Sequence, residues 1–116
     1  DIAIDDQVSL LQSAMSSLAD KDTAYQQLLD AYLEGDLGKI VSITNKQQPK
    51  DRRLAALIND KLIIERNHRM FERMKEQLRA GNTFVAVGAL HLPGKQGLLN
   101  KLRQSGYKLI RIKREE

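Results

Sequence analysis

The chain has 116 residues, 41% of them hydrophobic and 29% charged, with no cysteine and a formal net charge of +4. That composition suits a soluble domain or a piece of one and argues against disorder. The missing cysteine excludes disulfides, thiolate zinc sites and cysteine nucleophiles, and no apolar run approaches the ~18 residues a membrane span needs.

The charge is uneven. Residues 1–49 carry eight acids and three bases, net −5, residues 50–81 are net +4, and residues 82–116 are net +5. A basic C-terminal part fits nucleic acid or an acidic partner, but packing of the acidic part near the basic part, or a missing N-terminal half that balances the charge, fits better. The chain starts without Met on an acidic stretch unlike a signal peptide, so a fragment of a longer protein is expected.

Read in order, the first 80 residues are helical. Asp5 or Asp6 caps a helix to about Leu18, with Val8, Leu11, Met15 and Leu18 on one face. After Asp20 and Asp22, the residues Tyr25, Leu28, Leu29, Tyr32 and Leu33 form a second apolar stripe. Gly35 closes that helix and Asp36 caps the next, from Leu37 to about Ile43. Asn45 to Pro49 is a polar loop. Asp51 opens a long helix that runs to Ala80, with a bend near Asn59 and Asp60, and stops at Gly81 and Asn82.

The period then changes. Residues 83–87 (TFVAV) are nearly continuously β-prone, the pattern of a strand buried on both faces. Residues 95–104 read as a helix stopped by Gly106, and residues 107–112 as a second strand. Strand, helix, strand predicts a parallel, right-handed βαβ unit. Two parallel strands make a poor sheet alone, so further strands are expected from elsewhere. The expected fold class is therefore α/β: a helical segment (1–49), a long helix (50–81) and a C-terminal βαβ unit (82–116), together part of a larger α/β fold. Unpaired strand edges predict a homo-oligomer of this chain.

Three features bear on chemistry. Gly88-Ala-Leu-His91 sits just beyond a predicted strand end, where α/β proteins place their sites. Gly88 lets the chain turn, and a neutral His91 imidazole would bind a metal, act as a base, or serve as a hydrogen-bonded structural residue. In the long helix, Ile64, Asn67, Phe71, Met74 and Leu78 step by three and four, which puts Asn67 in the middle of a buried stripe. A buried Asn needs partners, either a loop carbonyl or a polar crevice. Arg66, about 100° round the helix, lies at the stripe's edge and would reach an anion or a surface carboxylate. Glu65, His68 and Glu72 point away and read as a solvated face. The free N–H groups expected at Lys95, Gln96 and Gly97 would hold an anion near His91 or be capped. The basic stretch from Arg111 to Arg114 lacks a stacking platform, so no nucleic-acid partner is expected.

The order Glu65-Arg66-Asn67, Met70, then FVAVGALHLPGKQGLL over residues 84–99, then Gly106-Tyr107, resembles the C-terminal signature of the TraB/GumN family, TIKI-type proteins included. Tyr32, Gly35, Asp36 and Leu37 resemble its helical middle. The resemblance implies a metal-dependent, protease-like hydrolase acting on a peptide or protein, or a non-catalytic peptide-binding module. It implies a divalent metal (manganese, cobalt or zinc), with His91 as ligand, Arg66 and Asn67 as catalytic residues, and Lys95 and Gly88 near the substrate. It also implies a periplasmic, exported or membrane-associated setting. The family carries two Gly-x-x-His motifs and this chain has one. A missing N-terminal half is therefore an expected partner, and tight metal binding by this chain alone is not expected.

Overall fold

The computed structural model describes residues 2–16 and 21–113, and these are helical throughout wherever they are regular. Leu18, Asp20 and Arg114, named above, lie outside the described residues. The chain divides into two compact units, residues 1–62 and 63–116.

The first unit holds α1 (Ile4–Ser16), α2 (Lys21–Glu34), α3 (Leu37–Lys46) and α4 (Arg52–Asn59). Local chemistry sets their ends. Asp36 caps α3 by accepting from the Lys39 N–H at 3.0 Å. Asp51 caps α4, taking the Arg53 and Leu54 N–H groups. At the end of α2, Gly35 takes a left-handed φ of 68°. There the Gly35 N–H reaches the Tyr32 carbonyl and the Asp36 N–H the Ala31 carbonyl, a paired closure that satisfies carbonyls the helix leaves over. α2 packs on α3, and the buried apolar residues of this unit are Ala31, Ile40 and Leu54. α1 buries no residue, and its stripe of Ile4, Val8, Leu11 and Met15 is exposed. Asp6 of α1 pairs with Arg53 of α4 at 2.5 Å.

Near Asp60, where a bend was expected, the helix passes into a π-helical turn, Asp60–Ile64, the usual shape of a local insertion in a helix. It spans the boundary between the units.

The second unit holds α5 (Glu65–Ala80), a short 3-10 turn (Ala89–His91) and α6 (Leu98–Gln104). α5 ends at Gly81, φ 80°, followed by Asn82, φ 53°. α6 ends as α2 does: Gly106 at φ 92°, its N–H on the Arg103 carbonyl and the Tyr107 N–H on the Leu102 carbonyl. α5 packs on α6, burying Phe71 and Leu98.

The α/β expectation is overturned. No strand and no sheet form among the described residues, so there is no βαβ unit. A strand is held by a neighbour's backbone, and residues 83–87 and 107–112 have no ladder partner among the described residues. Their side chains are not buried on two faces either: Phe84 and Ile112 are each 91% exposed. The helix expected from Lys95 begins only at Leu98. No helix among the described residues is long and apolar enough to cross a membrane.

Candidate functional site

The site is built on the loop from Gly88 to Gly97 and on one turn of α5. Gly88 adopts an extended φ of −61° and ψ of 144° and starts the 3-10 turn, closed by the His91 N–H on the Gly88 carbonyl at 3.0 Å. His91 therefore sits on a helical turn, where a strand end was expected. Gly94, φ 86°, reverses the chain, and the Gly97 N–H returns to the Gly94 carbonyl. Gly97 is buried and must be glycine: a Cβ there would overlap the carbonyl oxygens of Leu92 and Pro93. The Leu99 N–H then bonds the Leu92 carbonyl at 3.2 Å, and the loop folds back on itself.

This folding brings the Gln96 carbonyl and the His91 ring to Asn67, which is 1% exposed. Asn67 Nδ2 donates to the Gln96 carbonyl oxygen at 2.9 Å. Asn67 Oδ1 lies 2.7 Å from His91 Nδ1. A carbonyl only accepts, so Gln96 fixes the amide with Nδ2 toward itself and Oδ1 toward the imidazole. Oδ1 also only accepts, so the proton of the neutral ring sits on Nδ1. The lone pair is then on Nε2. Burial pushes the His91 pKa below its ordinary value, and the Arg66 cation pushes it the same way. Both causes favour the neutral ring, the form that binds metals.

The other predicted residues are placed less centrally. Arg66 is exposed, close enough to His91 for its charge to be felt. Lys95 and Gly88 are exposed. Lys95 lies in a turn, its carbonyl accepting from Asn100 Nδ2 at 2.9 Å. Asn67, expected to reach either a crevice or a loop carbonyl, reaches a loop carbonyl and His91, and both ends of its amide are taken. Of the residues expected on a solvated face, His68 Nδ1 lies 3.0 Å from Lys101 Nζ of α6, and Glu72 pairs with Lys75. A shallow recess of about 90 Å³ lined by Phe71, Lys75, Leu78, Arg79, Ser105 and Tyr107 contains none of the site residues.

Sequence reasoning singled out Gln96 and Gly97 only for their N–H groups and missed the role of the Gln96 carbonyl and the close packing at Gly97. Gln96 acts through its main chain, which side-chain identity does not report. The Gly94-x-x-Gly97 spacing was the available signal for a tight reversal.

A divalent ion would find one well-prepared donor here, the Nε2 of His91. The described residues hold no group of three or more His, Cys, Asp or Glu side chains able to take a metal. Catalytic zinc sites generally use three protein ligands. His91 therefore suits a ligand's role, and the described residues do not complete a site.

The second unit is thus a helix–loop–helix that presents a buried histidine hydrogen-bonded through Nδ1 to a buried asparagine. A sequence model of the TraB/PrgY/gumN family matches residues 1–111, and the chain belongs to this family. Searches of curated proteins and of solved structures found no match.

Proposed function

We propose that this chain carries one part of the active site of a metal-dependent, peptidase-like hydrolase, with His91 as a metal ligand through Nε2. The observation that carries the reading is the 2.7 Å contact of the buried His91 Nδ1 with Asn67 Oδ1. A ligating histidine is typically held in this way, its second ring nitrogen donating to a fixed acceptor. Family membership supports the reading.

In this proposal His91 offers an uncharged donor, and Arg66, exposed beside it, attracts an anionic group of the substrate or the negative charge that develops on an attacked carbonyl. Lys95, on the same loop, adds positive charge to the approach. A bound divalent ion would polarise the amide carbonyl and activate water. The remaining ligands come from a segment bearing a second Gly-x-x-His motif, outside the described residues. A manganese, cobalt or zinc ion and a peptide or protein substrate in an exported or periplasmic setting belong to the same proposal.

Calorimetry and peptide hydrolysis test it. Alone, the chain should bind manganese or zinc no more tightly than micromolar, and His91→Ala should remove even that. Joined to a segment with the second motif, it should cleave peptides in a metal-dependent way that His91→Ala abolishes. Cleavage that survives chelation, or that survives His91→Ala, would refute the reading. Tight peptide binding without cleavage at saturating metal would replace it with a peptide-binding module.

A further inference from the structure

We infer that Asn67 is a positioning residue: its amide, oriented by the main-chain carbonyl of Gln96, holds His91 as the Nδ1-protonated tautomer without touching substrate. The inference deepens the reading of His91 as an Nε2 donor and rests on it for its functional sense, although its own geometry needs no metal.

The argument runs through three atoms in series. The Gln96 carbonyl offers only lone pairs, so the Asn67 amide cannot be turned round without setting two acceptors 2.9 Å apart. The oxygen that remains faces Nδ1 at 2.7 Å, a short and well-formed hydrogen bond. At 1% exposure the amide has no surface to offer a substrate, and no buried side-chain polar atom among the described residues is left unbonded. A neutral imidazole free in water favours the Nε2–H form. Left to itself, His91 would therefore carry its proton on the nitrogen that a ligand needs free.

The molecule contains its own control. The chain has two histidines. His68 is exposed, and its Nδ1 accepts from Lys101 Nζ, which as an ammonium only donates. His68 is therefore expected as the opposite, Nε2–H tautomer.

The test is the long-range ¹H–¹⁵N spectrum of the histidine-labelled chain, recorded with chelator about two units above the ordinary histidine pKa. His68→Gln assigns the signals. His91 should show a protonated Nδ1 and an unprotonated Nε2, and His68 the reverse. A His91 protonated at Nε2 would overturn the inference. Asn67→Ala should return His91 to the Nε2–H form. A folded Asn67→Ala chain with His91 still protonated at Nδ1 would also overturn it. If that variant does not fold, the wild-type spectrum decides, because Nε2–H at His91 contradicts the inference and Nδ1–H supports it. Metal titration tests the ligand reading separately, so either can fail alone.

Discussion

Replacing Asn67 by Leu removes the amide and keeps a side chain of similar size. Two hydrogen bonds are lost. The Nδ1 nitrogen of His91, a buried residue, is stranded, which costs about 1–3 kcal/mol. The Gln96 carbonyl belongs to an exposed residue and regains water, so its lost bond costs about 0.5–1.5 kcal/mol. Leu contributes apolar burial that offsets roughly 1 kcal/mol. The net loss is about 2 kcal/mol, a large share of the ~5–15 kcal/mol typical of a domain. With a urea m-value of about 2 kcal/mol/M, the midpoint should fall by about 1 M. Urea denaturation followed by circular dichroism reads it directly. A midpoint within about 0.2 M of wild type at unchanged m-value would refute the reasoning, since it would mean that the amide makes no net contribution where it sits.

Gly97→Ala should destabilise by at least the ~1–3 kcal/mol typical of overpacking, because the new methyl meets the Leu92 and Pro93 carbonyls. Thermal melts would check it, and a neutral result would contradict the loop geometry. The pKa of His91 is lowered on folding, so the unfolded chain binds more protons near neutrality and stability rises with pH. The contribution of His91 is present above its unfolded value, about 6.5, and is lost as the pH falls below that toward the folded value. Denaturation in chelator should show lower stability at pH 5 than at pH 7.5, with a smaller difference in His91→Gln; equal differences would exclude His91 as the cause. Finally, the exposed α1 stripe together with Phe84 and Ile112 should drive self-association at micromolar concentration. Sedimentation should detect it, Phe84→Asp should weaken it, and a strictly monomeric chain would count against it.

What the sequence disclosed, it disclosed through short-range chemistry. Asp36 and Asp51 were legible as caps because a cap is made with the next two or three residues. Gly35 and Gly106 were legible because a helix that ends in a left-handed turn needs glycine there. Residues 83–87 and 107–112 misled for the complementary reason. Their β-branched and aromatic composition records a preference, and the hydrogen bonds that make a strand must come from elsewhere. Asn67 stood out as a polar residue in an apolar stripe, and its burial follows from that position. Its partners lie 24 and 29 positions along the chain, and one is a main-chain carbonyl, so periodicity could ask for them without naming them.

The loop from Gly88 to Gly97 carries both the imidazole and the carbonyl that orients its partner, while the partner itself belongs to α5. Opening the loop would therefore break both bonds of Asn67 in one event. Such a segment behaves as a small cooperative unit in native-state hydrogen exchange. The amides of His91, Leu92, Gly97 and Leu99, each bonded within the loop or to it, should exchange with a common opening free energy below that of the α5 amides around Phe71. The rate at which the Nε2 lone pair becomes disordered would then be the opening rate of ten residues, read from their amides, and tightening the loop at any one of those bonds would lengthen the lifetime of the donor.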